Sequence, residues 1–146
     1  AYRFRAETLW GMRQAKEALE DIEKVLSINP DDEDALLLKG TVLAALGQTE
    51  EAEQCFDKVM EDNPFNEKAY LLKGELLAGQ KEFDKAIRLY TEALELMPEN
   101  AALYQERGRI RLLNGDKEGS VEDMKKAIEL NPESEQQING KFDNLQ

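Results

Sequence analysis

The sequence contains no histidine, the side chain that enzymes use most often to move protons near neutral pH. Histidine-dependent catalytic triads and histidine-ligated metal sites are therefore excluded. No glycine-rich phosphate loop, CxxC pair or HExxH motif occurs either. The many carboxylates are spread along helical positions, as is typical of solvated surfaces. We therefore expect no enzyme activity, no catalytic residue, no cofactor and no bound metal.

Cysteine is almost as scarce, because Cys55 is the only one and cannot form a disulfide within the chain. Its neighbours Glu53, Gln54 and Asp57 supply no cation that would favour a thiolate. A buried structural thiol on a helix is the favoured interpretation, and a reactive thiol is the alternative.

Basic residues are also in the minority, since 19 Lys and Arg face 31 Asp and Glu and give a net charge of −12. Such a chain is a poor ligand for nucleic acid or for an anionic membrane surface. No apolar run of about 18 residues predicts a membrane span, and no leader pattern precedes a cleavage site. The chain starts without methionine, so we expect a processed or excised piece. The compartment stays open, with the cytoplasm as the favoured expectation.

The four prolines stand at 30, 64, 98 and 132, so that each interval is 34 residues. A period of this length is typical of stacked helical hairpins, not of one globular core. Two residues after each proline comes a side chain that can cap a helix. These capping residues are Asp32, Asn66, Asn100 and Ser134.

Helical spacing of the apolar residues predicts a pair of helices after each of the first three caps. The first helices are expected over 33–46, 67–80 and 101–114. The returning helices are expected over 50–62, 83–96 and 117–130, each ending at the next proline. Turns are expected near 47–48, 80–81 and 114–115.

Glycines recur at the middle of the first helices, where glycine costs roughly 1 kcal/mol relative to alanine. That cost indicates that another helix comes close. We expect each glycine to face a small residue on the returning helix, with a bulky residue beside the contact. The glycines are Gly40, Gly74 and Gly108, the small residues Ala52, Ala86 and Ser120, and the bulky residues Phe56, Tyr90 and Met124.

The two ends of the chain depart from the pattern. In residues 1–32, Ala6 replaces the glycine, and an irregular first helix is expected before an amphipathic second helix that ends ahead of Pro30. After Pro132, a capping box and the apolar residues Ile138, Phe142 and Leu145 predict a C-terminal capping helix over 135–146. A truncated fifth hairpin is the alternative there.

These spacings resemble the tetratricopeptide repeat, in which aromatic, Gly, Ala and Pro positions recur within 34 residues. Residues 67–100 match most fully, with Tyr70, Gly74, Ala86, Tyr90 and Pro98 in the family's positions. The stretches 33–66 and 101–134 are further repeats, and 1–32 is a partial or atypical repeat. The resemblance implies a single all-α domain over 1–146, a right-handed superhelical solenoid of antiparallel helix-turn-helix hairpins with a C-terminal capping helix.

In this family the first helix of each hairpin lines a concave groove. The resemblance therefore implies a groove that binds a peptide or helix of another protein. The expected binding residues are Leu37, Leu38, Thr41, Leu71, Leu72, Glu75, Gln105 and Arg109. An exposed apolar strip in such a surface is typical of a partner site. The alternative for each leucine pair is that one member packs against the adjacent hairpin.

Lys39, Lys73 and Arg107 form a row of basic residues, one before each mid-helix glycine. They either follow carboxylates of an extended partner or pair with local acids, and the net charge favours local pairing. Some family members bind acidic chaperone tails through a clamp of Lys, Asn and Arg residues. This sequence lacks that set, since Leu38, Leu72 and Glu106 occupy groove positions where a clamp would need Lys, Asn or Arg.

The sequence therefore predicts a protein-interaction scaffold. The alternative is a structural repeat module whose N-terminal end, around Phe4 and Trp10, stacks on further repeats or on a second copy. No nucleic acid, membrane insertion or cofactor is expected in either case.

Overall fold

The computed structural model describes the backbone of residues 2–134 and the side chains of residues 14–133. Within that range the chain forms α-helices and one short 3-10 helix at Pro132–Ser134, and no strand. The helices are α1 (Tyr2–Ile28), α2 (Glu33–Ala45), α3 (Thr49–Asp62), α4 (Glu67–Gly79), α5 (Phe83–Leu96), α6 (Ala101–Leu113) and α7 (Lys117–Leu130). The chain divides into two compact units, Ala1–Leu72 and Lys73–Gln146, called unit 1 and unit 2 below.

The predicted helix boundaries from α2 to α7 are confirmed to within one residue. The caps explain this agreement. The Asp32 carboxylate accepts a hydrogen bond from the Ala35 amide at 3.0 Å, and the Asn100 side chain accepts one from the Leu103 amide at 3.1 Å. The Asn66 side chain accepts from the Ala69 amide at 3.3 Å. Each cap fixes the first turn of a first helix.

In unit 1 the core lies where α2 packs against α3. A Cβ added to Gly40 would lie 2.5 Å from Cε1 of Phe56, a distance that no real pair of carbons tolerates. Phe56, Ala52 and Val59 are fully buried on the same face of α3. The glycine therefore makes room for the phenylalanine ring, as its spacing predicted.

In unit 2 the same contact occurs twice. A Cβ on Gly74 would collide with the Tyr90 hydroxyl, and one on Gly108 would lie 3.1 Å from Asp123 Cβ and 3.3 Å from Met124 Cε. The predicted close approach at each glycine is confirmed. The predicted small partner is found at Gly108, where the Ser120 carbonyl oxygen would lie 3.2 Å from the added Cβ, but at Gly40 and Gly74 the nearest atoms belong to the bulky ring. The buried Tyr90 hydroxyl has no hydrogen-bond partner among the described residues, and its burial raises the pKa of Tyr90.

The three turns share one backbone conformation, with a residue in the left-handed region at the same repeat position. Gly47 has φ of 85° and Gly115 has φ of 88°, whereas Lys81 adopts φ of 61° despite its Cβ. The predicted turn near 80–81 is confirmed, and its lysine is strained where glycine would not be.

The N-terminal region differs from the predicted pair of helices, because α1 runs without a break from Tyr2 to Ile28. The position equivalent to Gly47, Lys81 and Gly115 is Arg13, and it lies inside the helix. No proline or left-handed residue interrupts the chain there, so helical hydrogen bonding continues. The predicted capping helix over 135–146 lies outside the described residues.

Replacing Lys81 by glycine should stabilise the protein by about 0.5–1 kcal/mol, because the left-handed conformation then costs no steric strain. The measurement is the urea midpoint of unfolding. The matched control is Gln80→Gly, which lies beside Lys81 without positive φ and should destabilise by a similar amount through the greater freedom of the unfolded chain. Equal destabilisation by both changes would contradict this reading of the turn.

Candidate protein-binding surface

In unit 1 the predicted binding residues of α2 are divided between the core and the surface. Leu37 is buried at 5% exposure, whereas Leu38 is 53% exposed. Thr41 is exposed, and its hydroxyl donates a 2.8 Å hydrogen bond to the Leu37 carbonyl. Leu37 is thus corrected from a surface residue to a core residue, because neighbouring positions on one helix point in different directions. The alternative of one packed leucine holds for this pair.

The predicted pair Leu71 and Leu72 behaves differently, since both side chains are half-buried. They lie in the first part of α4, next to the buried Ala69 and Tyr70. Part of each leucine therefore remains open to solvent in unit 1.

The composition of α2 is unusual for a helix with an exposed side. Its sequence, EDALLLKGTVLAA, places apolar residues on all faces, whereas α3 has an apolar face opposite a charged one. A helix that is apolar all round is normally covered on all sides. Leu38 is the large apolar residue of α2 that lacks such cover among the described residues.

In unit 2 the predicted binding residues are polar and already interact with one another. Arg109 donates from Nε to Glu106 Oε2 at 3.0 Å and from Nη2 to Glu75 Oε2 at 3.4 Å. Gln105, one turn before Arg109 on α6, is half-buried. The Arg109 charge is thus balanced by two local carboxylates, which leaves it poorly suited to capturing a carboxylate of a partner.

Two members of the basic row also pair locally, as the net charge favoured. Lys39 lies 2.6 Å from Glu23 of α1, and this hydrogen bond raises the pKa of Lys39. Arg107 donates from Nε and Nη2 to the two oxygens of Asp123, at 2.9 and 2.7 Å. Lys73 is half-buried in unit 2. The interpretation that the basic row binds carboxylates of an extended partner therefore loses support at Lys39 and Arg107.

The carboxylate of Asp123 was not singled out from the sequence, yet it is the most buried charge described. Its residue is 3% exposed, and besides Arg107 it accepts a 3.0 Å hydrogen bond from Arg111 Nη1. Arg107 also reaches the Thr91 hydroxyl at 3.3 Å and lies over the Tyr104 ring at 5.5 Å. The equivalent residues one and two repeats earlier are Leu89 and Cys55. An acid at a position that otherwise holds an apolar residue could have revealed this cluster.

Cys55 is buried, and burial raises the pKa of its thiol above the usual value despite the opposing effect of Lys39. Burial thus disfavours the thiolate, and the prediction of a structural cysteine is supported over a reactive one.

Two further kinds of site were sought in the part of the chain that the structure describes. No group of three or more Cys, Asp or Glu side chains there is arranged to hold a metal ion. None of the helices within residues 2–134 combines the length and apolarity that crossing a membrane requires.

Comparison with protein families gives three matches that together span most of the chain. Three models described as tetratricopeptide repeat match residues 9–76, 67–100 and 101–134. The chain belongs to the tetratricopeptide repeat family. Its fold is the all-α tetratricopeptide solenoid. No curated protein matches the sequence.

Solved structures of MamA proteins are similar to this tetratricopeptide chain. MamA from Desulfovibrio magneticus RS-1, residue 41 to the end, is 28% identical, with 90% of this chain and 75% of that chain covered and a TM-score of 0.65. An RS-1 MamA double mutant is 26% identical, with coverage of 86% and 71% and a TM-score of 0.68. A further MamA crystal structure, at 21% identity, coverage of 89% and 76% and a TM-score of 0.71, supports the fold alone.

Membership of this family makes the chain a repeat scaffold for interaction with other proteins or with copies of itself. Tetratricopeptide scaffolds are generally not enzymes. Protein partners are therefore the class of ligand that the fold serves.

Changing Asp123 to Ala should destabilise the protein by about 3 kcal/mol, because Arg107 then loses its buried counter-charge. The double change Arg107→Leu with Asp123→Leu should recover most of that loss, since the preceding repeat holds Leu89 at the position of Asp123. Urea midpoints measure both effects. A double variant no more stable than Asp123→Ala would contradict the account.

Proposed function

We propose that the chain binds a helix or extended peptide of another protein on its first helices, mainly through apolar contacts. The observation that carries the proposal is Leu38, an exposed leucine on a helix that is apolar on every face. Covering the exposed half of this side chain stabilises a complex by about 1 kcal/mol. In unit 1 the half-buried Leu71 and Leu72 of α4 are further leucines that remain partly open to solvent, and Thr41 lies one turn along α2 from Leu38.

The predicted binding residues of unit 2 are polar and would orient a partner that is bound there. In unit 2 these are Glu75, Gln105 and Arg109, of which Arg109 is already bridged to Glu75 and Glu106. A partner carboxylate would have to displace one of these local acids, which costs affinity. The charges therefore favour an apolar or amide-rich partner over an acidic tail.

The second candidate is self-association through the N-terminal end, which would make the chain a structural module. The observation that favours it is the continuous α1, developed in the next subsection. Neither candidate involves catalysis, nucleic acid or insertion into a membrane.

Replacing Leu38 by Asp should weaken binding of the physiological partner about 10- to 100-fold. Proteins captured from the native cell by the unaltered chain are purified, and their affinities for the unaltered chain and for the variant are measured by calorimetry. Leu38 suits this test because it is exposed, whereas Asp at the buried Leu37 would disturb folding itself.

The matched control is Leu96→Asp, which alters a similarly exposed leucine on the returning helix α5. It should leave the affinity unchanged. If the Leu38 variant binds as tightly as the unaltered chain, or if both variants lose affinity equally, docking on the first helices is wrong.

A further inference from the structure

One face of α1 is more exposed than the same face of every other returning helix. Val25 is 45% exposed, whereas its repeat equivalents Val59, Ala93 and Ala127 are fully buried. One turn further along, Ile28 is 88% exposed, and its equivalents Asp62 and Leu96 are exposed too. Ile22, which lies between Ala18 and Val25, is buried at 5% exposure, and its equivalent Phe56 is also buried. Ala18 is half-buried, although Ala52, Ala86 and Ser120 at the same position are fully buried.

The reason lies in the course of the chain. In the later hairpins this face packs on the first helix of the same hairpin, as Phe56 does on Gly40. The residues that would form that first helix, 2–12, instead continue α1. A helix cannot cover its own face, so the Val25 side of α1 needs a helix from elsewhere.

Residues of α1 that are seven positions apart lie along the same side of the helix as Ala18 and Val25. Phe4 and Gly11 precede Ala18 and Val25 at intervals of seven, which is the spacing that keeps one line of a helix facing a neighbouring helix. The residues are small in the middle and bulky at the ends. If two such helices run antiparallel, Phe4 lies level with Val25 and Gly11 with Ala18. The small residues then meet in the middle, where the two helices can approach closely, and the bulky residues meet at the ends.

The charges of α1 are also divided between its two halves. Residues 2–16 carry a net charge of +3, from Arg3, Arg5, Glu7, Arg13 and Lys16. Residues 17–28 carry a net charge of −3, from Glu17, Glu20, Asp21, Glu23 and Lys24. This order is unfavourable for the dipole of a single helix, which prefers acids at its start. An antiparallel neighbour reverses the balance, because the basic half of one helix then lies along the acidic half of the other.

We propose that two copies of this chain pair through α1, antiparallel and about a two-fold axis between residues 14 and 15. Each α1 then occupies the place that a first helix occupies in the later hairpins. The occupant is a second copy because the charge pattern of α1 is self-complementary and its size pattern is symmetric about the same point, as a two-fold contact requires. The pairing does not depend on docking at Leu38, since α1 and not α2 forms the contact.

The mass in solution is the first test, measured by light scattering and sedimentation over a concentration series. We expect a particle of twice the 16.6 kDa chain mass, dissociating on dilution and more readily at high salt. Val25→Asp should abolish the dimer with unchanged helicity. Leu96→Asp, an equally exposed leucine of unit 2, should leave it intact. A chain that stays monomeric at millimolar concentration, or a dimer that survives Val25→Asp, overturns the proposal.

The helix direction is tested by spin labels at Lys16→Cys or Ser27→Cys, each in a Cys55→Ala background. With a rise of about 1.5 Å per residue, two Ser27 labels should lie roughly 35–40 Å apart along the axis and two Lys16 labels roughly 5 Å apart. Equal separations at the two positions would indicate parallel helices and overturn the antiparallel pairing. Failure of this experiment leaves the Leu38 measurements unaffected, so that the two proposals can fail separately.

Discussion

The close approach between a glycine of each first helix and a bulky side chain of the returning helix is the constraint on which the structure depends. Gly40 admits the ring of Phe56, Gly74 the phenol of Tyr90, and Gly108 the side chains of Asp123 and Met124. These contacts hold the two helices of a hairpin at a fixed short distance. They also use one face of the first helix for folding, which leaves its other faces, including Leu38, for neighbours and partners.

Much of this architecture could be predicted from the sequence, because the residue types that each contact requires recur at a fixed interval of 34 residues. The prolines stop the returning helices, and Asp32 and Asn100 start the first helices with side-chain caps, so the boundaries follow to within a residue. The glycine contacts follow from the cost of a mid-helix glycine. The sequence does not show that Leu37 is buried and Leu38 exposed. The two adjacent leucines differ only in the direction of their side chains, and the packing of neighbouring helices decides which one is covered.

Features that depend on one repeat differing from its neighbours were not predicted. The continuous α1 arises because Arg13 stands where the other hairpins turn, and an arginine permits a helix as readily as a turn. Asp123 looked like one more surface acid until Arg107 and Arg111 were placed around it. The scaffold role follows from the family, whereas the leucines and paired charges proposed as binding residues form no motif that would identify a partner. The uncovered side of α1 became apparent only by comparing four equivalent helices.

The central claim is tested most directly by adding one methyl group at two glycines of the same helix. Gly74 of α4 faces Tyr90, whereas Gly79, also in α4, has open space where its Cβ would be. The account predicts that Gly74→Ala lowers the urea midpoint by the equivalent of about 2–3 kcal/mol, and that Gly79→Ala is neutral or slightly stabilising. Shortening the facing side chain by Tyr90→Leu should reduce the loss of stability that Gly74→Ala causes. Equal, small effects of alanine at both glycines would contradict the claim that close helix contact at the glycine builds the hairpin.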